Sequence, residues 1–464
     1  MPAFSWRGSP QWHNVIPASA TPGSWVFLNA TAPPYPLGHL HDTWDKENRV
    51  DRCAQNNPAW MYGFSDDGDQ NSAHVKLRTA QENCAILRGT HVLLIGDSLS
   101  YQMYESWRAR LRTMRYADGL DAGNARCSSG GCEGARGAMC SGYCVVRHDD
   151  NHRHSSHYSV CDNGAAVLIA EGFRWVMDIS AFSASDASAQ QCVRRVRRNP
   201  DHFGIVEVPA AHLVKMLASA LEPARTPSGS RHPPRRLAVV YNQMAHVHLF
   251  VSKVKECYIQ SAGMEERTAE SAATRDVLRF WARDQARWAV AFDVARSNVT
   301  AQAEARARAH GGGGGRGYGH GGGAHSRTRS SGGDSAGDGG ESTVAYSHPP
   351  QIDVYYRTSP GACDAFCIPP HGAPRAPIDP SQLVHGVFTG RSEYSHQHAF
   401  TTNDMASSAF RARGHGVLDV EDMLGVRVDA YPSSTDGVGD KLHFCQPGPP
   451  DWALDHLIRR VTQE

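Results

Sequence analysis

Short apolar runs closed by turn residues alternate with segments of helical periodicity along most of this chain. Val92-Leu93-Leu94-Ile95 is wholly apolar and ends at Gly96, the pattern of a strand covered on both faces. A helix is predicted from about Leu99 to Met114, because Leu99, Met103, Trp107 and Leu111 recur at fourfold spacing and share one face. The same reading predicts strands at Ala165–Ile169, Phe173–Val176, Leu237–Tyr241, Ile352–Tyr356 and Val417–Val420. It predicts helices near Ala210–Leu221, at Met264–Ala295 with Val277, Trp281, Trp288 and Phe292 near one face, and at Pro450–Val461. Strands that alternate with helices imply an α/β fold with a mainly parallel sheet covered on both faces. In such folds functional residues collect at the carboxyl ends of the strands, here after Gly96, Asn242, Arg357 and Val420.

Three stretches depart from this pattern. Residues 1–90 are rich in Pro, Asn, Asp, Gly and Trp, as in Thr31-Ala32-Pro33-Pro34-Tyr35-Pro36, and are expected to form an irregular N-terminal segment tied down by Cys53 and Cys84. Gly119 to His157 is polar, carries four cysteines and four histidines, and is expected to be an irregular excursion. Of 44 glycines, 15 lie between Gly311 and Gly340, within a Gly/His/Ser-rich insert at 310–343 that cannot pack a core and is expected to be disordered. Set apart from that insert, residues 91–464 are expected to make one domain with the N-terminal segment packed on it.

With 464 residues, 40% of them hydrophobic, the chain can bury a sizeable core, which excludes a disordered or collagen-like class. Lys+Arg and Asp+Glu both number 47, so no bulk charge draws the chain to nucleic acid or an anionic membrane, and no nucleic-acid partner is expected. No window approaches the roughly 18 consecutive apolar residues of a membrane span, so no transmembrane segment is expected, and the first residues lack a signal-peptide pattern. Twelve cysteines, together with the Asn-x-Thr acceptors at Asn29 and Asn298, nevertheless favour an oxidising compartment of the secretory pathway, Golgi lumen or extracellular. Connectivity is open from sequence; Cys53 with Cys84, and Cys445 with Cys363 or Cys367, are the expected pairs.

Two places carry candidate chemistry. Gly96-Asp97-Ser98 follows the first strand and opens a helix, where a serine stands at the strand end and backbone N–H groups can stabilise an oxyanion. The same residues would also serve as a simple helix cap. Asp440-Lys441-Leu442-His443 supplies an imidazole to take a serine proton and a carboxylate three residues earlier to orient it. A second Asp-x-x-His, Asp149 with His152, lies in the polar excursion with no strand before it and reads as a solvated loop. Cys127, Cys132, Cys140 and Cys144, near His148, His152, His154 and His157, lack the tight knuckle spacing of a zinc site, so disulfides or thiols are expected there and no metal.

The order of these blocks resembles the PC-esterase branch of the GDSL/SGNH superfamily, which includes the plant trichome-birefringence-like polysaccharide O-acetyltransferases. The resemblance runs through Gly23-Ser24-Trp25-Val26, then Cys84 and Leu87-Arg88-Gly89 to Gly96-Asp97-Ser98-Leu99-Ser100, then Val239-Val240-Tyr241-Asn242. It continues through Tyr356-Arg357-Thr358-Ser359-Pro360-Gly361 and ends in Asp440 to Asp451 with the pattern Asp-x-x-His-x-Cys-x-Pro-Gly-x-x-Asp. It implies a three-layer SGNH-like fold, with Ser98 as nucleophile, His443 as general base and then acid, and Asp440 as orienting carboxylate. It further implies an oxyanion hole from the Ser98 N–H, the Asn242 side-chain amide and Gly172, supported by Gly96, Asp97 and Arg357, the last holding a carboxylate below the site.

The implied reaction moves an acetyl group from a donor co-substrate, with no cofactor, onto a hydroxyl of a glycan or polysaccharide. The chain departs from the plant pattern at Tyr101-Gln102-Met103, at Gln243-Met244-Ala245-His246 and after Pro360, which puts the acceptor in question. An acetyl esterase using the same triad, and an inactive glycan-binding protein on the same fold, are the rival readings. His443→Ala is expected to abolish turnover and His152→Ala to leave it intact, measured as acetyl release or transfer; equal losses would mean that the other Asp-x-x-His is the functional one.

Overall fold

The computed structural model describes residues 23–27, 60–64, 78–116, 126–128, 131–133, 146–148, 154–161, 163–170, 210–225, 231–242, 247–311, 349–360, 399–425, 430, 444 and 448–463. In chain order its strands are β1 (Gly23–Phe27), β2 (Trp60–Phe64), β3 (Thr90–Gly96), β4 (Arg126–Ser128), β5 (Gly131–Glu133), β6 (Val146–His148), β7 (His154–Val160), β8 (Ala166–Ala170), β9 (Ala224–Arg225), β10 (Arg231–His232), β11 (Arg236–Asn242), β12 (Gln351–Arg357) and β13 (Gly416–Leu418). The helices are α1 (Ala80–Ile86), α2 (Ser98–Tyr116), α3 (Ala210–Ala220), α4 (Val247–Ala262), α5 (Glu266–Gly311), α6 (Ala399–Arg411), α7 (Glu421–Gly425) and α8 (Pro449–Gln463).

Among the described residues the main sheet has seven strands, in the order β13-β12-β11-β3-β8-β7-β6. The first five of these are mutually parallel, and β7 and β6 extend the β8 edge as an antiparallel pair. Numbered by chain order, the parallel strands run 2-1-3-4-5 from the β8 side, the doubly wound order in which the chain starts in the middle and reverses once. That reversal falls between β3 and β11.

Alternation along the strands builds a core on each face. Val92 and Leu94 of β3, Ala238 and Val240 of β11, and Tyr355 of β12 join Leu99, Met103, Trp107 and Leu111 of α2 and Trp452, Leu454, Leu457 and Ile458 of α8. Leu93, Ile95, Leu237, Val239, Tyr241, Val354 and Tyr356 point to the opposite face and meet Leu213 and Leu217 of α3, Trp288 and Phe292 of α5, and Phe410 of α6. A third cluster joins α4 to the N-terminal half of α5 through Val254, Tyr258, Ala273, Val277 and Trp281. This is an α/β architecture with helices on both faces of a mainly parallel sheet.

One charged cluster lies inside the first core. Arg110 of α2 is buried, and its Nε stands 3.1 Å from Asp451 Oδ1 while Nη1 stands 2.5 Å from Asp455 Oδ1. Arg110 Nη2 also donates to the Asp451 carbonyl at 2.7 Å. Asp455 accepts further bonds from Asn83 Nδ2 at 3.1 Å and the Arg78 N–H at 2.9 Å, and Asp451 Oδ2 accepts from the Gly448 N–H at 2.9 Å, capping α8 where Pro449 fills the first helical position. Two carboxylates facing one guanidinium are tolerable because these N–H donors and the helix N-terminus supply the remaining positive potential.

Most predicted elements appear within a few residues of their expected bounds, and the departures have physical reasons. The segment 1–90 is not irregular throughout: β1 and β2 pair antiparallel, and α1 packs into the core behind a capping box of Thr79 and Glu82. The excursion 119–157 contributes β6 and the start of β7 to the main sheet. Cys84 bridges to Cys161, 77 residues away, and not to Cys53; the Cα atoms lie 5.8 Å apart. Asn163 Nδ2 donates to the Cys84 carbonyl at 2.6 Å, which brings the turn before β8 against α1 and sets the pairing. Cys257 is also disulfide-bonded, and no described cysteine is free. α5 runs on to Gly311, past the expected start of the insert at 310, and the remainder of that insert lies outside the described residues, as do Phe173–Val176, Cys363, Cys367 and Cys445. No described helix is long and apolar enough to cross a membrane.

Burial also gives the fold a pH dependence. His456 of α8 is pushed down to about 4 by burial, opposed by Asp419 and helped by Arg460 and Arg459. His91 and His415 are lowered by burial as well, each in spite of facing backbone carbonyls. These imidazoles resist protonation in the folded chain while their unfolded counterparts take up protons near 6.5, so their stabilisation is full above 6.5 and is lost as pH falls, for His456 down to about 4. Denaturant midpoints are expected to drop over that window, with His456 contributing on the order of 3 kcal/mol. His456→Gln is expected to flatten the profile between pH 6.5 and 4.

Candidate active site

β3 delivers the chain to its carboxyl edge at Gly96, and α2 begins two residues on. Asp97 caps the helix: its Oδ1 accepts the Leu99 N–H at 3.1 Å, and its carbonyl accepts the Tyr101 N–H at 3.2 Å. The capping role therefore falls to Asp97, and Ser98 occupies the first helical position. From Thr90 to Ser100 every residue is buried except Ser98, which is partly exposed. A nucleophile needs this combination of a rigid support and an accessible hydroxyl.

The neighbouring strand explains the glycine. Asn242, the last residue of β11, is paired with Gly96. A Cβ at position 96 would stand 2.4 Å from the Asn242 carbonyl oxygen and 2.4 Å from Ser100 Oγ, so only glycine lets the parallel strands β3 and β11 close up at the point where the strand order reverses. Crevices at such reversals are where doubly wound sheets bind their ligands.

Asn242 is fully buried, and its Nδ2 donates to the Arg357 carbonyl at 2.6 Å and to Ser359 Oγ at 2.8 Å. Its Oδ1 has no hydrogen-bond partner among the described residues. The amide expected to face an oxyanion is thus directed towards β12. Arg357 ends β12, fully buried, with Nη2 3.7 Å from Asp97 Oδ1 and 3.4 Å from Ser100 Oγ. Burial draws the guanidinium below the ordinary arginine range, with Asp97 and Tyr356 opposing that effect. A buried cation thus stands against the carboxylate that caps the Ser98 helix.

The residues after Arg357 are knitted to their surroundings. Thr358 donates from Oγ1 to Asp419 Oδ1 at 3.0 Å and accepts the Val420 N–H at 2.8 Å. Ser359 exchanges backbone bonds with Asn403 of α6, N–H to Oδ1 at 2.9 Å and Nδ2 to carbonyl at 2.8 Å. Tyr356 adds a 3.3 Å hydrogen bond to the same Oδ1. The Arg-Thr-Ser segment is in this way a fixed backdrop to Asn242.

A further residue, Gln102, joins this edge to the C-terminal part of the chain. Its Nε2 donates to the Phe444 carbonyl at 2.8 Å, and its Oε1 accepts the Phe444 N–H at 3.1 Å. Sequence reasoning assigned no role to Gln102 or Asn403, and a lone amide carries no spacing signal. Arg110 did carry one, since it shares the helical face of Met103 and Trp107.

The structure brings Gly96, Asp97, Ser98, Asn242 and Arg357 to one edge of the sheet. Asp440, His443 and Gly172, and the second pair Asp149 and His152, lie outside the described residues. Among the described residues no group of three or more His, Cys, Asp or Glu side chains is placed to hold a metal ion. Comparison with known proteins yields no matching family model and no matching curated relative.

Arg357→Ala would leave the Asp97 carboxylate buried without its counter-charge. It is expected to cost about 3–5 kcal/mol of unfolding free energy. The double variant Arg357→Ala/Asp97→Asn is expected to recover part of that loss in denaturant titrations; a loss as large as the single variant's would mean the two side chains do not act as a pair.

Proposed function

We propose that this protein is a Ser-His-Asp O-acyltransferase of the PC-esterase branch of the GDSL/SGNH superfamily, moving an acetyl group onto a glycan hydroxyl. The observation that carries the reading is the placement of Ser98: a partly exposed serine at the first position of a helix, beside the reversal point of a doubly wound sheet. The sequence blocks that resemble the family support it, because those at Gly96–Ser98, Asn242 and Arg357 meet at that edge although they are far apart in the chain. The finer fold assignment, a three-layer SGNH domain with the N-terminal segment packed on it, belongs to the same proposal. So does a secretory location, which the Cys84–Cys161 disulfide supports.

In this mechanism Ser98 Oγ attacks the acetyl carbonyl of the donor while its proton passes to His443, held in the right tautomer by Asp440. The developing oxyanion is stabilised at the N-terminus of α2, where the helix dipole places positive potential beside the Ser98 N–H. Asn242 Nδ2 joins that hole by exchanging its bond to Ser359 Oγ for one to the oxyanion, and Gly172 supplies a further N–H. His443 returns the proton to the departing donor group, leaving acetyl-Ser98. The glycan hydroxyl then gives its proton to His443 and attacks the ester, and His443 returns that proton to Ser98 Oγ as the C–O bond to Ser98 breaks. A neutral acceptor suits a chain of zero net charge.

A serine-directed fluorophosphonate is expected to label the folded, oxidised protein, and Ser98→Ala is expected to abolish the labelling. Labelling that is absent or independent of Ser98 would defeat the enzyme reading and favour a glycan-binding role. With an acetylated oligosaccharide as donor and a deacetylated one as acceptor, acetylated acceptor is expected; free acetate alone would make the protein an esterase.

A further inference from the structure

We infer that Asn298 is an N-glycosylation site and that its glycan covers an uncharged stripe on the solvent face of α5. The inference rests on the secretory location proposed above and is independent of the acyl-serine chemistry. Asn298-Val299-Thr300 is an Asn-x-Thr acceptor, and a glycan can be carried only where the asparagine reaches solvent in the finished fold. α5 meets that condition. Val299 is buried in the core shared with β11 and β12, which fixes the rotation of the helix, and Asn298 beside it is exposed.

A three-residue motif arises by chance, and the surface around it supplies the second observation. Towards its start the exposed face of α5 is charged, with Arg275, Arg279, Arg283 and Arg287 at successive four-residue steps, and towards its end come the exposed Arg306 and Arg308. Between them, over about 18 Å of helix, the exposed positions are Val290, Val294, Ser297, Asn298, Ala301 and Gln302, and none is charged. Val290 is 44% exposed and Val294 45%, the most exposed of the large apolar side chains among the described residues. Asp293 and Arg296, the charges within the same stretch, are less exposed and pair with each other at 2.8 Å.

Val290, Val294 and Asn298 follow at four-residue spacing and share one face. Helix side chains lean towards the N-terminus, so the Asn298 amide leaves the helix over Val294. A glycan there lays the apolar ring faces and acetyl methyl groups of its first N-acetylglucosamine residues along the two valines, and no charge has to be desolvated. Two half-exposed valines are far short of the roughly 800 Å² per partner of a stable protein interface, so an occupant tethered covalently beside them suits the stripe better than a free one. In the transfer, Nδ2 of Asn298 bonds to C1 of the terminal N-acetylglucosamine of a lipid-diphosphate-linked oligosaccharide. The C1–O bond breaks, the lipid diphosphate leaves with the electron pair, and the Nδ2 proton passes to a base of the oligosaccharide-transferring enzyme of the secretory lumen.

The test uses the full chain isolated from the cells that make it, with thiols blocked at lysis, and follows the tryptic peptide Ser297–Arg306. The peptide is expected to be recovered only after peptide N-glycosidase treatment in heavy-oxygen water, with the label at position 298. Full recovery without treatment would overturn the site. If Cys84–Cys161 is then found oxidised, the secretory location survives; if both cysteines are reduced, the location falls with the site. Asn298→Gln, made in the same cells, is expected to lose the mass of one glycan, to keep Ser98-dependent fluorophosphonate labelling, and to raise the self-associated fraction in sedimentation at least several-fold. Adding Val290→Ser and Val294→Ser is expected to reverse that rise. A self-associated fraction equal to that of the wild type would overturn the covering role, whereas absence of labelling in the wild type would count against the acyl-serine reading alone.

Discussion

The buried guanidinium of Arg110 is the constraint on which the arrangement of this molecule depends. It holds Asp451 and Asp455 of the last helix against α2, and Asp455 in turn holds Asn83 and the chain at Arg78, so three segments far apart in sequence share one charge cluster. Each member requires the others: removing one partner of such a cluster exposes the remaining charges to a medium that cannot solvate them, at a cost of about 3–5 kcal/mol against a total stability of about 5–15 kcal/mol for an ordinary domain. The consequence reaches the site because α2 is a single rail. Ser98 stands at its start, Gln102 one turn on and Arg110 two turns further, so the position of the serine and that of the C-terminal segment are referred to the same rigid body.

A second polar layer closes the carboxyl edge of the sheet. Asp97 just after β3, Asn242 of β11, Arg357 of β12, Ser359 just after it and Asn403 of α6 are each buried and bonded to at least one other. Such networks are stable only when nearly every member is satisfied, and among these five described side chains the exceptions are Asn242 Oδ1 and Arg357 Nε. The layer lies between the apolar sheet and the edge where Ser98 is partly exposed, and it ties the strand ends to one another.

The parts legible in the sequence were those whose burial is total or one-sided. β3, β11 and β12 are apolar runs with clear stops, and α2 and α8 carry apolar stripes, so their existence and the parallel sheet came from pattern alone. The Gly-Asp-Ser turn was legible because it sits at such a stop. Other elements were hidden by their composition. β7 reads His154-Ser155-Ser156-His157-Tyr158-Ser159-Val160, polar enough to look like loop, and becomes a strand by pairing with β8. α6 is built from Thr, Ser, Asn and Asp, weak helix formers, and is held by the packing of Ala406 and Phe410 and by the bonds of Asn403. α1 did have a local signature, the Thr79-x-x-Glu82 capping box, which the polar run Ser65 to Ser72 shortly before it obscured. The Cys84–Cys161 pairing and the Gln102–Phe444 hydrogen bonds are contacts between remote segments, and no local pattern encodes them.

The two outermost strands of the main sheet, Val146–His148 and Gly416–Leu418, are three residues each. A sheet edge is a template for another chain in proportion to the row of unpaired backbone groups it offers, and edges this short offer about one rung of a ladder. Seven strands can thus lie side by side with a fully apolar centre and still present little to a neighbouring copy. Self-association by strand addition, the ordinary hazard of an open sheet, is limited here by the brevity of its borders.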